Sequence, residues 1–503
     1  MTLNDLLSKT RVVDVRGDCE AEVSELSLDS RTVSRGGLFF AVSGHKEDGV
    51  RFAQDALSRG AVGVVVEHSP AKKSGGDPGA QRSAAWVEVP EIRESVADLA
   101  SAFYGNPSEE LKVVGVTGTN GKTTTSFLVK HICDTALLRC GLVGTVRYEI
   151  GDQTLPAGRT TPDAIELQGL LSRMRDAGCK SVAMEVSSHA IHQKRVRGVH
   201  FDAAVFTNLT RDHLDYHGTM DAYFEVKASL FTGLNAQRYK QGTAVVNVDD
   251  SFGQQLVRRL KQTGVPVLTF GTANGVDFRA SALKTEFQGS TFQLDAVGKS
   301  WLVRSPLIGR FNVMNSLGAI AAAHAVGIPV RESVLAMASA PSVPGRMEPV
   351  PGKRAFRVFV DYAHTEDALR NALKTVRELQ PQRLIVVFGC GGDRDRGKRP
   401  LMGAAAEEFA DWSVVTSDNP RGESAEAIAA EIVGGMRRGN HEVVLDRAEA
   451  IRRAVFMAQP RDIVLVAGKG HETTQVAGSQ TLAFSDLSVA RSAVEERPPD
   501  FGR

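Results

Sequence analysis

The chain has 503 residues, more than one hydrophobic core usually serves, so we expect two to four domains. Its 60 Lys and Arg side chains are balanced by 59 Asp and Glu side chains, which argues against general binding to nucleic acid or to an anionic membrane. The five cysteines are scattered without a CxxC spacing, and this favours reduced thiols over a disulfide framework or a zinc site. Because the positive and negative charges balance, any anionic ligand must be held by a local site.

The amino-terminal segment carries early acidic residues and lacks a cleavable apolar core, so a signal or transit peptide is not expected. No apolar run reaches the ~20 residues that a membrane-spanning helix needs. These features predict a cytoplasmic protein without membrane insertion.

Short apolar runs alternate with helical stretches along the chain, which predicts an α/β protein. Residues 61–66 predict a buried strand, and residues 74–85 predict a flexible loop. A helix gives way to a turn at 104–107, where a first domain should end, and the proline-rich stretch 341–345 marks a second break.

Polar or glycine residues repeatedly follow apolar strands, and this recurrence suggests ligand sites. In open α/β sheets, ligands bind beyond the carboxyl ends of the strands. Gly, Asp and Asn also end strands without any function, so a single case would prove little. The strands are predicted at 112–116, 181–184, 203–206 and 244–246, and after the second break at 357–360, 384–388, 413–416 and 463–467.

The stretch TGTNGKTT (117–124) lies between a predicted strand and a predicted amphipathic helix. Its glycines let backbone N–H groups face phosphate oxygens, Lys122 adds a point charge, and a threonine hydroxyl can bind Mg²⁺. The strict GxxxxGK[ST] pattern needs glycine at Val116, so the match is to a shorter GxxGKT form. The strand–loop–helix context favours a nucleotide-phosphate site over a fortuitous glycine turn.

The segment EVSSH (185–189) combines a carboxylate and a histidine at a predicted strand end. An HExxH zinc helix is disfavoured because Met184 and Ser188 occupy its histidine positions. A carboxylate opposite a phosphate loop is suited to Mg²⁺, which points to Glu185. His189 alone would be interpreted as a buried histidine with satisfied hydrogen bonds.

The segment 206–231 is dense in titratable side chains, including Asp212, His213 and Lys227. By composition it could be the start of a solvated helix with Lys227 on the surface. Only the neighbouring acidic and histidine residues favour a functional role.

Four clusters follow the last group of strands: DYAH (361–364), GCGGDRDR (389–396), DNPR (418–421) and GKGHE (468–472). The second does not satisfy GxGxxG, so NAD binding is not favoured. Two arginines and an acid at neighbouring strand ends suit a zwitterion that carries carboxylates and an ammonium. Arg421 could instead cap the following helix or pair with Glu423.

In this order the motifs resemble the Mur ligase family over essentially the whole chain, most closely the MurE type that adds the third residue of the stem peptide. The resemblance implies three α/β domains. These are a UDP-muramoyl substrate domain (1–106), a central P-loop ATPase-like domain (107–344) and a Rossmann-like amino-acid-binding domain (345–503). The motifs that carry it are TGTNGKTT, MEVSSHA, FTNLTRDHLDYHG, NVDD, GRFNVMN, VPGRME, DYAHT, FGCGGDRDRGKRPLMG, SDNPRGE and AGKGHE, with residues 26–52 resembling the uridine-nucleotide site.

The resemblance implies an ATP-dependent amide-bond ligase of peptidoglycan precursor synthesis, with Mg²⁺ as cofactor and ATP as co-substrate. ATP would phosphorylate the D-glutamyl carboxylate of UDP-N-acetylmuramoyl-L-alanyl-D-glutamate, and the amine of meso-diaminopimelate would displace phosphate from the acyl phosphate. Two anions must approach each other, so heavy charge neutralisation is required. The partners would be these small molecules, without nucleic acid, and we expect a monomer.

Matching the family motifs residue by residue assigns four groups. ATP would be bound by Thr117, Gly118, Thr119, Asn120, Gly121, Lys122, Thr123, Asn315, Arg346, Asp361 and His364. The UDP-linked substrate would meet Leu28, Ser30, His45, Lys46, Glu47, Thr160, Thr161, Ser187, Gln193 and Arg195. The amino acid would meet Arg394, Asp418, Asn419, Pro420, Arg421, Gly468 and Glu472. Catalysis would use Lys122, Glu185, His213 and Lys227, the last as N6-carboxylysine, and Mg²⁺ would be held by Thr123, Glu185, His213 and Lys227.

Two positions depart from the family pattern. Glu366 stands where the DYAHTP pattern has proline, and we expect it to loosen that turn. Arg159 precedes the Thr-Thr pair where some relatives have asparagine, so no substrate contact is assigned to it.

Several alternatives remain open. They are a folylpolyglutamate synthetase, a lysine-adding relative, a degenerate homologue acting as a scaffold, and a P-loop nucleic-acid motor. The amino-terminal DSR segment and DNPR argue against the first. Retention of Lys122, Glu185, His213 and Lys227 argues against a scaffold, and balanced charge without helicase-like motifs argues against a motor.

Overall fold

The computed structural model describes residues 1–44, 48–68, 84–237 and 239–498. His45, Lys46 and Glu47, assigned above to the uridine end, and most of the loop predicted at 74–85 lie outside the described residues. The helix-to-turn break near 104–107 is confirmed, because a helix ends at Phe103 and both Gly105 and Asn106 adopt positive φ.

The first sheet is mostly parallel and runs in the order β1-β5-β4-β3-β2, with only β1 antiparallel to its neighbour. The strand predicted at 61–66 is confirmed as buried β4. The elements are α1 (Leu3–Leu7), β1 (Asp14–Arg16), β2 (Glu25–Ser27), β3 (Gly37–Phe40), α2 (Ala53–Ser58), β4 (Gly63–Val66), β5 (Ala85–Glu88) and α3 (Ile92–Phe103), with 3-10 turns at Ser30–Thr32, Gly49–Phe52 and Pro107–Glu109.

The second sheet has a parallel centre and antiparallel edges, in the order β16-β15-β14-β13-β12-β11-β6-β10-β7-β8-β9. Its strands are β6 (Lys112–Thr117), β7 (Cys140–Val143), β8 (Arg147–Ile150), β9 (Gln153–Pro156), β10 (Ser181–Glu185), β11 (Ala203–Phe206), β12 (Thr243–Asn247), β13 (Val267–Gly271), β14 (Phe278–Glu286), β15 (Gly289–Ala296) and β16 (Lys299–Ser305). Its helices are α4 (Lys122–Thr135), α5 (Ala164–Asp176), α6 (Ser188–His192), α7 (Leu214–His217), α8 (Met220–Thr232), α9 (Ser251–Leu260), α10 (Arg310–Ala325) and α11 (Val330–Met337), with a 3-10 turn at Gly233–Ala236.

The third sheet runs β17-β18-β22-β19-β20-β21 and is parallel except for β17. Its strands are β17 (Glu348–Pro349), β18 (Arg357–Asp361), β19 (Leu384–Phe388), β20 (Trp412–Val415), β21 (His441–Val443) and β22 (Ile463–Ala467), and a hairpin of β23 (Thr474–Ala477) and β24 (Gln480–Ala483) follows. Its helices are α12 (Glu366–Glu378), α13 (Lys398–Phe409), α14 (Ala425–Val433), α15 (Arg447–Met457) and α16 (Asp486–Glu496).

Helices cover both faces of the second and third sheets, which explains why their central strands are continuous apolar runs. In the second sheet, α4 and α10 pack on one face, and α5 and α8 pack on the other. In the third sheet, α12 and α13 oppose α15 and α16. The strands predicted in these regions are confirmed, so their carboxyl ends carry the polar motifs to common edges. No helix within the described part of the chain is long and apolar enough to cross a membrane.

The start of α12 corrects one expectation about the DYAHT motif. Glu366 does not loosen this turn, because Thr365 caps the helix by accepting a hydrogen bond from the backbone N–H of Ala368. The Glu366 carboxylate then pairs with Arg370 at 2.7 Å. The cap and the ion pair hold the helix start in place of a proline.

A buried ion pair holds the third sheet together at its carboxyl edge. Arg447 and Asp486 are both fully buried and meet through two 2.7 Å hydrogen bonds. The Arg447 guanidinium also donates to the carbonyls of Ser417 and Ala467, which lie just past β20 and at the end of β22. This side chain therefore fixes two of the loops that carry candidate site residues.

We predict that Asp486→Asn lowers the free energy of unfolding by about 3 kcal/mol or more, because it leaves the Arg447 charge buried without a partner. Glu496→Gln is a matched control on the same two helices, since Glu496 pairs with Arg452 at 3.8 Å with both side chains about half exposed. It should cost less than about 1 kcal/mol. Urea unfolding of the two variants measures the difference, and equal losses would contradict the assignment.

Candidate active site

The phosphate-type loop lies between β6 and α4, as predicted. Gly118 and Gly121 have φ of 149° and 87°, and side chains there would collide with Thr207 and Asn315. The Lys122 amine folds back over the loop and donates to the carbonyls of Gly118 and Thr119 at 3.0 and 2.8 Å. The loop therefore packs closely against its neighbours and keeps its lysine over the turn.

Glu185 ends β10 directly beside this loop, because β10 pairs in parallel with β6. Its fully buried carboxylate accepts hydrogen bonds from the Thr123 hydroxyl at 3.1 Å and from the backbone and hydroxyl of Thr145 at 2.7 and 3.0 Å. A buried carboxylate that touches the first turn of a phosphate-loop helix is a suitable oxygen ligand for Mg²⁺.

A polar cluster surrounds the backbone of Glu185 on the side away from the loop. Thr161 donates to the Glu185 carbonyl at 2.8 Å and accepts from the Ser187 N–H at 3.1 Å. The Arg195 guanidinium donates to the Thr161 carbonyl at 2.9 Å and to the Gln193 side-chain oxygen. These predicted substrate residues are thus brought together, and Thr160 joins them through Thr145.

Lys227 is 1% exposed, so the surface interpretation of this residue is wrong. Its amine donates to the Gly118 carbonyl at 3.0 Å and to the Thr117 hydroxyl at 3.3 Å, and lies over the Tyr223 ring. Burial, and then the nearby Lys122 charge, hold the pKa of Lys227 well below its usual value. The buried amine of Lys227 and the partly buried amine of Lys122 therefore converge on the Gly118 carbonyl.

His213 lies in a half-exposed group of rings beside these lysines. Its ring centroid is 5.1 Å from that of His189, and its Nε2 lies 3.5 Å from the Asp212 carboxylate. Burial lowers the pKa of His213 to about 4, although the Asp212 charge acts in the opposite direction. The ring is therefore neutral at physiological pH and able to act as a ligand.

Over the part of the chain that the structure describes, no three His, Cys, Asp or Glu side chains are grouped to hold a metal ion. The residues nevertheless fit Mg²⁺, which takes few protein ligands and completes its shell with substrate phosphates and water. Thr123 and Glu185 are in direct contact, whereas His213 is grouped with His189 and Asp212.

The third sheet contributes side chains to the phosphate loop from the opposite direction. Arg346 donates to the Thr123 hydroxyl at 3.1 Å and stacks over the Tyr362 ring. Asp361, at the end of β18, accepts from the backbone N–H groups of Met347 and Ala363, and burial raises its pKa. Asp361 thus fixes the segment that follows Arg346.

A cavity of about 240 Å³ lies between the second and third sheets. It brings together Asn120, Gly121, Thr123, Asn315, Arg346, Asp361 and His364 from the predicted nucleotide set. The other predicted members, Thr117, Gly118, Thr119 and Lys122, form the loop wall described above. Phe270, Phe311, Met314 and Asn371 also line this cavity. Sequence reasoning missed these four because apolar and amide side chains within helices or strands give no local signal of ligand contact.

A second cavity, of about 390 Å³, lies at the carboxyl edge of the third sheet. Its lining contains Arg394, Asp418, Asn419, Arg421, Gly468 and Glu472, together with His213 and His364. Pro420 is not part of the lining, although it belongs to the same loop. Most of the residues predicted to bind the amino acid therefore share one cavity with His213 and His364.

Neither structural alternative for Arg421 is observed. Helix α14 is capped by Ser424, and Glu423 pairs with Arg399 instead of Arg421. Arg421 donates to the Gly392 carbonyl at 2.7 Å and reaches the cavity.

Glu472 also has a partner that the sequence did not reveal. Its carboxylate accepts from the fully buried Lys469 amine at 2.9 Å and from Asn419 at 3.0 Å. The role of Lys469 could be recognised only from the fold, because a separation of three residues along a loop does not determine whether two side chains pair.

Two further cavities lie at the first sheet. Leu28 and Ser30 line one of about 1020 Å³, together with Phe39, Phe52 and Arg59. Leu28, Gln193 and Arg195 line another of about 240 Å³, which also contains Arg93 and Arg159. Arg159, left unassigned by the sequence, thus faces the same space as the predicted substrate residues. Its position next to Thr160 was the available signal.

Three family models match the chain in succession. They are the Mur ligase family, catalytic domain, at residues 22–104, the Mur ligase middle domain at 116–323, and the Mur ligase, glutamate ligase domain, at 345–470.

Curated relatives and solved structures agree with these models. The UDP-N-acetylmuramoyl-L-alanyl-D-glutamate–2,6-diaminopimelate ligase of Geobacillus thermodenitrificans is 44% identical over 502 residues, covering 99% of this chain and 100% of that protein. The ligase of the same name from Clostridioides difficile is 37% identical over 499 residues, with 99% and 100% coverage. A solved structure of a ligase of that name has a TM-score of 0.71 and 34% identity, covering 98% of this chain and 99% of that one. Thermotoga maritima MurF ligase in complex with ADP shares the fold, with a TM-score of 0.61, 19% identity and 95% and 96% coverage.

The fold and the loop geometry define the chain as an α/β protein of the phosphate-loop class, in which the third sheet packs over the cavity at that loop. The relatives that match over the full length narrow this class to one family. The chain belongs to the Mur ligase family.

We predict that Lys122→Met weakens ATP binding about 10- to 100-fold, because a hydrogen bond from a charged donor contributes about 1.5–3 kcal/mol. Lys240→Met is the control. Lys240 is a largely buried lysine that pairs with Asp202 at the opposite end of the same sheet. Its substitution should leave the ATP dissociation constant unchanged in calorimetric titrations. Equal effects of the two substitutions would remove Lys122 from the nucleotide site.

Proposed function

We propose that this chain is an ATP-dependent ligase that joins meso-diaminopimelate to the D-glutamate of UDP-N-acetylmuramoyl-L-alanyl-D-glutamate, in peptidoglycan precursor synthesis. The observation that carries the proposal is the cavity that Arg394, Arg421 and Glu472 share with His213. These side chains would form a receptor for a zwitterion, and His364 lines both this cavity and the one at the phosphate loop. The names of the curated relatives support the same substrates.

Phosphoryl transfer needs positive charge around the nucleotide and the attacking carboxylate. Lys122 and the loop N–H groups would hold the ATP phosphates, and Arg346 would approach them from the third sheet. Arg195, with Thr161 and Gln193, would hold the muramoyl dipeptide so that its carboxylate points toward the loop. This arrangement would bring the two anions together at the phosphate loop.

Diaminopimelate differs from lysine by a second carboxylate at the far end of its side chain. Arg421 can bind that group bidentately, and Arg394 lies beside it on the facing loop. Glu472, held by Lys469, would accept the neighbouring ammonium. Lysine would leave Arg421 desolvated without an anion, which disfavours a lysine-adding enzyme.

Mg²⁺ would be held by Thr123, Glu185, His213 and a modified Lys227, and when bound it would neutralise phosphate charge. The modification would be N6-carboxylation. The neutral amine attacks CO₂ and a nitrogen–carbon bond forms. The nitrogen then loses one proton to solvent, and the product is a carbamate anion. The lowered pKa of Lys227 favours this step because it increases the share of the neutral amine.

The same proposal includes the domain boundaries. Residues 1–106 would bind the uridine end, 107–344 the ATP, and 345–503 the amino acid, with the enzyme acting as a monomer in the cytoplasm. Leu28 and Ser30 would contact the uridine diphosphate, and so would His45, Lys46 and Glu47.

Phosphate release with the UDP-dipeptide and a panel of amino acids tests the activity. Diaminopimelate should be preferred over lysine by roughly 10⁴-fold or more in kcat/KM, as in sites built to bind a polar group. Equal use of lysine would show that the amino-acid assignment is wrong. Stimulation by glutamate or by nucleic acid would instead favour the folylpolyglutamate or motor alternatives.

We predict that Arg421→Ala raises the KM for diaminopimelate about 10- to 100-fold, because it removes a charged carboxylate contact. The KM for ATP and for the UDP-dipeptide should change less than two-fold. Arg396→Ala is the matched control, since Arg396 lies on the adjacent loop, pairs with Glu431 and is largely exposed. The assignment fails if both variants behave alike in steady-state kinetics.

We predict that Lys227→Ala lowers turnover by roughly 100-fold or more, as expected on removing a charged group that stabilises the transition state. Small carboxylates such as acetate should restore part of the activity by replacing the carbamate. Lys227→Arg retains a cation but cannot be carboxylated, so it should be inactive and not rescued. Turnover near that of the wild type in either variant would exclude a functional carbamate.

A further inference from the structure

A buried arginine joins the loops at 389–396 and 418–423, which both line the cavity that contains Arg394 and Arg421. Arg399, in the first turn of α13, is fully buried. Its guanidinium donates to both carboxylate oxygens of Glu423 at 2.8 and 3.0 Å, and to the Gly391 carbonyl at 3.3 Å. A third carboxylate contact, at 2.8 Å, goes to Glu431 on α14. A fully buried arginine is rare unless it is paired in this way.

Glu423 connects this arginine to the facing loop. Its carboxylate also accepts the backbone N–H of Asp393 at 2.6 Å. The Asp393 carboxylate in turn accepts the N–H of Gly422 at 3.0 Å, and the Gly392 N–H donates to the Asn419 carbonyl at 2.9 Å. The loop at 389–396 and the loop at 418–423 are therefore held together at several points, with Arg399 and Glu423 at the centre.

The backbone of one of these loops is held in an unusual conformation. Asp393 and Arg421 each have φ of 52°, a left-handed region that aspartate tolerates but that arginine seldom occupies. Such residues persist where the surrounding contacts over-determine them, often at ligand clamps. The strain at Arg421 therefore has a structural cause in the contacts between the loops.

These contacts between the loops hold two positively charged side chains, Arg394 and Arg421, near each other in the fold. Arg394 follows Asp393, and Arg421 precedes Gly422. A side chain built on Gly391 would lie 2.9 Å from the Arg421 guanidinium and 3.9 Å from the Arg394 side chain, so both arginines flank this glycine. Both arginines line the same cavity, so the carboxylate of a ligand bound there could meet either guanidinium.

We propose that Arg399 and Glu423 form a positioning pair that sets the separation of Arg394 and Arg421, and thereby the preference for a dicarboxylate amino acid. This inference rests on the proposed function and extends it to residues that do not touch the substrate. Buried ion pairs contribute little net stability against apolar replacements, but they can fix a geometry. The Nε of Arg399 has no hydrogen-bond partner within the described residues, which also argues against optimisation for stability.

The chain provides a matched pair of substitutions for the test. Glu423→Gln and Glu431→Gln each neutralise one carboxylate partner of Arg399. Only Glu423 accepts a backbone N–H of the facing loop, whereas Glu431 contacts that loop through the largely exposed side chain of Arg396. Glu423→Gln should raise the KM for diaminopimelate about ten-fold, the scale on which residues that orient a ligand-binding group act. It should leave the KM for ATP within two-fold and reduce the ratio of diaminopimelate to lysine use. Glu431→Gln should change neither kinetic quantity.

Thermal unfolding of both variants separates positioning from stability. Similar losses of Tm with a KM effect confined to Glu423→Gln support the pair. Equal kinetic effects, or a Glu423→Gln effect that extends to ATP, overturn it. Arg399→Lys keeps the charge but cannot bind both Glu423 oxygens, so it should reproduce the selective rise in KM. If neither Glu423→Gln nor Arg399→Lys folds, the pair is structural only and the proposal is wrong.

The wild-type control distinguishes this inference from the proposed function. A wild-type protein that forms no product from diaminopimelate contradicts the function. A wild-type protein that does form it, with the two glutamine variants indistinguishable, contradicts only the positioning pair.

Discussion

The structure depends most on the convergence of two lysine amines on one backbone carbonyl. Lys122 and Lys227 both donate to the Gly118 carbonyl, and Lys227 is buried whereas Lys122 is partly buried. Placing like charges together away from water is unfavourable unless an anion compensates them or one amine loses its proton. Glu185 and Asp212 supply only part of that compensation for Lys122. The two amines therefore suit an anion such as phosphate, and burial together with the Lys122 charge holds the pKa of Lys227 well below its usual value.

This constraint explains why the carboxyl edges of two sheets face the same space. A phosphate loop on one sheet binds a nucleotide, but it cannot also bring an amine to the carboxylate that the nucleotide activates. Arg346 and His364 reach the cavity at the phosphate loop from the third sheet, and His364 also lines the cavity that contains Arg394, Arg421 and Glu472. The geometry of the two sheets therefore decides which side chains meet.

Strand ends were the most predictable part of this protein, because parallel strands buried on both faces leave long apolar runs that stop at polar residues. The loop at 117–124 and the position of Glu185 followed directly from that pattern. Pairings across loops were not predictable. The sequence offered Glu423 as a partner for Arg421, but the fold gives it to Arg399, which is 24 residues away. Arg159 shows the same limit, since adjacency to Thr160 does not reveal which cavity a side chain enters.

In the proposed ligase, recognition of the substrate ammonium would follow from the charges that surround Glu472. Lys469 is fully buried and bonds the same carboxylate oxygen that Asn419 bonds, so part of the Glu472 charge is already neutralised within the protein. A carboxylate held in this way has a fixed direction but a weaker field. The ammonium would then be shared between Glu472 and Asp418, which is nearly buried and lines the same cavity. The second carboxylate of the substrate would meet Arg394 and Arg421. Discrimination against amino acids with one carboxylate would therefore arise mainly at the arginine side, where an unfilled position costs the most.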